Sequence, residues 1–126
     1  MRIKVTSVTK KSNMKKYMDK ANDLSSIEGT LRTAGGNGLS KLIAATPKKT
    51  GTTAASWNMD VEKNQNGLSL YYSNSKKISD GTPLVVLIVN GHGTGTGGYV
   101  PANDFVSPIV DKIADQVAKE VKHLIE

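Results

Sequence analysis

The sequence predicts an α+β fold: one two-layer domain in which an antiparallel or mixed sheet of three to four strands is packed by a long N-terminal helical region and a C-terminal amphipathic helix. Three observations predict it. Apolar residues recur every three or four positions near both ends of the chain, they alternate with polar residues in the middle, and 126 residues are enough for a single core. With 37% hydrophobic and 5% aromatic residues, that core is aliphatic and thin.

Ile3, Val5 and Val8 predict a short edge strand. A helical front over 11–46 follows, with Met14, Tyr17, Met18 and Ala21 on one face opposite lysines. After Asn22-Asp23, read as a cap, Leu24, Ile27, Leu31, Ala34, Gly38, Leu42 and Ala45 keep the helical spacing as far as Thr46-Pro47. Gly35, Gly36 and Gly38 interrupt this stretch, and each Gly costs a helix interior about 1 kcal/mol relative to Ala. Either the helix breaks there or a close neighbour needs the space.

A hairpin is expected over 53–73. Ala55, Trp57, Met59 and Val61 alternate with polar residues, Asn64-Gln65-Asn66-Gly67 turns the chain, and Leu68, Leu70 and Tyr72 alternate again. The wholly apolar run 84–89, between Pro83 and Asn90-Gly91, reads as a strand in the sheet's interior. A Gly-rich loop over 90–100 leads to a helix over 107–125. Ser107 is its expected cap, Pro108 its first residue and Asp111 part of its first turn, and its apolar stripe is Ile109, Ile113, Val117, Val121 and Leu124. Lys119, Lys122 and His123 lie near its C-terminal end, where cations are favoured.

Function is bounded mainly by exclusion. There are no cysteines, which removes disulfides, thiolate metal sites and cysteine nucleophiles. The two histidines, His92 and His123, have no ligand spacing, and no metal or cofactor is expected. Asp80 or Asp104 could meet His92 as an acid–base pair, although no spacing requires it. Ser56 has no nucleophile-elbow context. The N-terminus lacks a signal-peptide core and the longest apolar run is six residues, so a soluble protein made in a cytoplasm is expected, with no membrane partner.

Gly91, His92, Gly93, Thr94, Gly95, Thr96, Gly97 and Gly98, followed by Tyr99, suggest two different roles. Read as G-x-G-x-x-G, Gly93, Gly95 and Gly98 match the dinucleotide fingerprint. That motif needs a helix to begin at the last glycine, so that free N–H groups and the helix dipole hold the phosphates. Tyr99-Val100-Pro101 follows instead. A loop tip that orders on contact with a partner is the expected reading.

Charge is divided unevenly along the chain. Residues 1–50 carry 11 Lys/Arg against 3 Asp/Glu, a net of +8, whereas 51–126 carry 6 against 8, a net of −2. Lys10, Lys11, Lys15, Lys16 and Lys20 form a candidate basic contact face for an acidic protein surface or, as an alternative function, for sequence-independent nucleic-acid binding. Arginine is scarce and Tyr17 is read as core packing, so sequence readout is not expected.

Two segments resemble a known family. The stretch from Thr46 to Trp57 is similar to the P-x-x-T-G-x-L-x-x-S motif of the small tail-completion and head-tail joining proteins of long-tailed bacteriophages, matching at Pro47, Thr50, Gly51 and Ser56. The stretch 104–109 resembles the family's P-F-L-x-P-A segment at Phe105 and Pro108. The order also agrees: a helix precedes the first motif, a hairpin follows it, and the last helix follows the second, over about residues 20–126. The chain departs from the pattern at Lys49, where an acidic residue is usual, at Thr53 in place of Leu, and at Asn90 in place of Glu.

The resemblance implies a non-enzymatic virion component of the tail or neck, assembled in the host cytoplasm. It implies a homo-oligomeric ring of six subunits docked to phage connector and tail proteins, with only non-specific proximity to DNA. The motif residues also have structural roles: Pro47 ends a helix, Thr50-Gly51 turns the chain, and Phe105 anchors the start of the last helix.

Overall fold

The structure, a computed structural model, describes residues 1–9, 21–47, 51–64, 67–93 and 95–125. Along the chain these form β1 (Arg2–Thr9), α1 (Ala21–Ala45), α2 (Gly51–Ala55), β2 (Trp57–Asn64) and β3 (Gly67–Asn74). Then come α3 (Leu84–Asn90), β4 (His92–Gly93), β5 (Tyr99–Val100) and α4 (Val106–Ile125). The fold is α+β: a three-stranded antiparallel sheet of order β1-β3-β2, a separate two-stranded β4-β5 ribbon, and helices.

β1 is the edge strand that its spacing predicts. Its apolar residues do not keep a strict period of two, and the sheet shows why. Lys4 pairs with Tyr71 and Thr6 with Leu70, so Val5 is an extra residue in the ladder. This bulge returns Val8 to the same side as Ile3, opposite Leu68 and Tyr72 respectively, while Val5 itself is buried. β2 and β3 pair antiparallel, from Trp57 opposite Asn74 to Asn64 opposite Gly67. The hairpin begins later than its alternation suggests, because Ala55 belongs to α2 and Ser56 to the turn after it. Ser56 Oγ donates to Thr52 O at 2.6 Å, closing that turn.

The glycines in α1 do not break it. A methyl group at Gly35 would come within 2.5 Å of Met59 Sδ and 2.8 Å of Leu70 Cδ1, and one at Gly38 would overlap the Tyr72 hydroxyl and approach Ile113 Cγ1 at 2.6 Å. These two positions let α1 come close to β2, β3 and α4, and Tyr72 Oη donates to Gly35 O at 2.6 Å across the gap. Burial pushes the Tyr72 hydroxyl up to about 12. Ile27, Leu31, Ala34 and Leu42 of the predicted stripe are buried, whereas Ala45 is exposed. The helix is already formed at Ala21, so Asn22-Asp23 lies inside it rather than capping it.

The run 84–89 is a helix, not an interior strand. Pro83 and Gly91, which also bound a strand, act here as helix punctuation. Pro83 is the extended N-cap residue, and Gly91 takes φ 77° as the C-cap. A six-residue apolar run carries no period of its own, so length and flanks decide its state.

α4 starts slightly before its predicted position and is capped differently. Asp104 Oδ1 accepts from Val106 N at 3.2 Å and Ser107 N at 2.9 Å, so Asp104, not Ser107, satisfies the free N–H groups, and Asp111 lies beyond the first turn. Ile113, Val117 and Val121 are buried, Ile109 is half-buried, and Leu124 is 45% exposed rather than part of the core. Lys122 and His123 occupy the last turn as expected. One cluster joins the buried residues of β1, α1, β2, β3, α3 and α4.

Candidate assembly surface

The two family-like segments meet in space. Thr46 Oγ1 donates to Leu42 O at 2.6 Å at the end of α1 and accepts from Trp57 Nε1 at 2.9 Å. The Trp57 ring then meets Phe105 edge to face, with centroids 6.5 Å apart. Asn74 Nδ2 donates to Thr53 O at 2.8 Å and fastens α2 to the end of β3. Pro47 is half-buried, Ser56 is half-buried and Pro108 is exposed in the first turn of α4. Thr50 lies outside the described residues, and Gly51 opens α2. These residues form a structural joint, which is the role that their chemistry suggests.

The glycine segment forms the tip of a short hairpin. His92 pairs with Val100 and Gly93 with Tyr99, while Gly95 and Gly97 take φ values of 78° and 91° that favour glycine. Thr94 lies outside the described residues. Where the dinucleotide fingerprint needs a helix at Gly98, the structure places β5, and α4 begins only at Val106. The hairpin base is fixed: Gly91 leaves room for the Tyr99 hydroxyl and the backbone at Val100 and Ala102, and Asn103 N donates to Ile88 O at 2.9 Å. The tip is exposed, including Gly95, Thr96, Gly97, Gly98 and Tyr99, the last at 67%.

The suggested acid–base pair does not assemble. His92 Nδ1 lies 3.4 Å from Leu87 O, Asp80 Oδ1 accepts from Thr82 N at 2.8 Å, and Asp104 caps α4. Hydrogen bonds from the Thr82 hydroxyl and N–H hold Asp80 below the usual carboxylate range, and those from Ser107 do the same for Asp104. Both carboxylates are engaged in turns and caps.

Lys10, Lys11, Lys15, Lys16 and Lys20 lie outside the described residues. Arg2, another cation of the basic half, is already engaged on the open face of the sheet. Its guanidinium stacks 3.7 Å from the Tyr71 ring centroid and pairs with Glu62, with Asp60 at 3.8 Å.

α3 is the surface that sequence reasoning missed. Of its residues only Val85 is fully buried; Val89 packs partly against the core, and Leu84, Val86, Leu87 and Ile88 stay half-exposed outside the core cluster. Beside it lies an apolar cleft of about 220 Å³, walled by Ile3, Val85, Val89, Val106 and Val110 and rimmed by Asp104 and Asp111. The signal was present in the sequence. A helix cannot bury six consecutive apolar residues against one side of a small core, so some must face outward.

No group of three or more metal-ligating side chains occurs among the described residues, and none of their helices is long and apolar enough to cross a membrane. Comparison of the chain with family models, curated proteins and solved structures finds no match.

Proposed function

We propose that this protein is a structural component of a bacteriophage virion at the head–tail junction, a tail-completion or neck subunit. In this reading it assembles as a ring of like subunits and docks to connector or tail-tube proteins. The domain acts as a two-layer ring subunit, with α1 and α4 forming one layer and the sheet the other. The observation that carries the assembly role is the set of half-exposed apolar residues on α3, Leu84, Val86, Leu87 and Ile88. Contiguous apolar surface on a small domain marks a protein contact, and α3 continues directly into the exposed hairpin. The phage assignment is supported by the ordered pair of motifs; Trp57, which directly follows the first, packs on Phe105 of the second.

The test is direct. The purified chain, mixed with a phage connector complex and with tail tubes, is imaged by electron microscopy and sized by light scattering. Rings on either structure are expected; a monomer that binds neither overturns the reading. The alternative, a sequence-independent nucleic-acid module, rests on the +8 charge of residues 1–50. It requires DNA binding that falls steeply with salt and disappears in Lys15→Glu/Lys16→Glu.

A further inference from the structure

We propose that copies of this chain join head to tail through a knob and a hole: Ile78 of one copy enters the apolar cleft of the next. The contact would be the subunit joint of the proposed ring and rests on that reading, but it can be tested apart from it.

Ile78 is 37% exposed, one of five large hydrophobic side chains on the described surface, and of these it is the one in a turn that follows two lysines. The turn holds it firmly, since Ile78 N donates to Thr82 O at 2.9 Å and Gly81 N donates to Ile78 O at 2.9 Å. Lys76 and Lys77 precede it in sequence, and neither forms an ion pair among the described residues. Asp80 shares the turn, but its carboxylate is folded back onto Thr82 N. The segment therefore presents an aliphatic knob beside two cations.

The cleft has the complementary chemistry. Its walls are largely aliphatic and its volume of about 220 Å³ has room for an aliphatic side chain. Its lining carries Asp111 and the α4 cap Asp104, while Met1, which also lines it, has its N-terminal ammonium turned to Asn74 O at 3.4 Å. Ile78 does not line the cleft of its own chain. The strand of chain that carries it is bonded to the start of α3, through Leu84 N to Lys76 O at 3.1 Å. Knob and hole are thus different patches flanking α3, and their union is heterologous, the kind of contact that closes into a ring when the rotation allows.

The test uses the full chain in sedimentation velocity from micromolar to millimolar concentration. Wild type is expected to gain mass with concentration. Ile78→Asp, which spoils the knob, should weaken self-association at least tenfold with unchanged circular dichroism and melting temperature, and Val110→Arg, which spoils the hole, should weaken it as much while lowering the melting temperature, because Val110 packs against the core. If Val110→Arg fails to fold, the exposed-rim variant Asp111→Lys replaces it. Mixed in equal amounts, the two variants should form a dimer that grows no further, because one intact knob and one intact hole remain.

A wild type that stays monomeric overturns the proposal, as does an Ile78→Asp variant that associates normally or a mixture that fails to pair. Loss of association in Tyr99→Ser but not in Ile78→Asp would assign the cleft to the hairpin and overturn it equally. Rings on connectors that are indifferent to Ile78→Asp would remove this contact and leave the functional reading intact. Knob-and-hole association without connector or tail binding would do the reverse.

Discussion

α3 and α4 are both rich in valine and isoleucine, yet they end in opposite states. α4 alternates its apolar stripe with Lys112, Asp115 and Lys119 on the exposed side, and its own chain buries Ile113, Val117 and Val121. α3 has no polar residue from Leu84 to Val89, and its chain fully buries only Val85. The difference separates two uses of apolar sequence. A stripe matched to one face is completed within the monomer, while the all-round apolar α3 keeps half-exposed residues, the surface proposed above as an assembly face.

The contrast can be broken most severely in the core. Ile113→Ala should cost about 2–5 kcal/mol in urea unfolding, whereas Ile88→Ser on α3 should cost less than about 1 kcal/mol. Equal losses would remove the distinction between the two helices. Gly38→Ala comes next: its methyl group meets Ile113 and the Tyr72 hydroxyl, so it should destabilise by about 1–3 kcal/mol despite the better helix propensity.

Tyr72→Phe should cost about 1 kcal/mol through the lost bond to Gly35 O. It should also change the alkaline limb. Because burial raises the pKa of the folded hydroxyl to about 12 from its ordinary 10.0, the folded state holds its proton longer than the unfolded chain. Stability therefore falls between those two values as pH rises, by at most about 1.4 kcal/mol per pH unit. The Phe variant should lack this part of the decline in melts across that range.

Asp104→Ala should cost about 1 kcal/mol by uncapping α4, a loss without a counterpart at α3, whose start has no side-chain cap. Since the Asp104 carboxyl is held below its usual range, the wild-type cap is present at neutral pH and lost as pH falls through that range, and the variant should show less acid sensitivity. The smallest effect has the opposite sign: Gly36→Ala meets nothing within 4 Å and should raise stability by up to about 1 kcal/mol.

What could be read from the sequence follows from periodicity. The hairpin and α4 were legible because their polar residues mark which face is out, and Trp57 to Val61 and Ile113 to Val121 keep those periods in the fold. β1 was legible in kind but not in detail, since the bulge at Val5 appears only when β3 supplies the register. The run 84–89 gave no such mark, and its β-branched residues favoured a strand, yet Pro83 and Gly91 close a helix equally well. Pro108 drew the expected cap to Ser107, while the carboxylate at Asp104 reached the same N–H groups from further upstream. For the site, the motif residues could be named but not their meeting through Trp57 and Phe105, which needs the tertiary fold. The half-exposed residues of α3 were hidden because an unbroken apolar run reads as interior.

The claim that α3 is an assembly face is tested most directly by sedimentation equilibrium of wild type beside Leu87→Ser/Ile88→Ser. The account predicts concentration-dependent association in the wild type and its loss in the variant, with melting temperatures of the two monomers alike. A wild type that remains monomeric throughout, or a variant that associates as the wild type does, would contradict it.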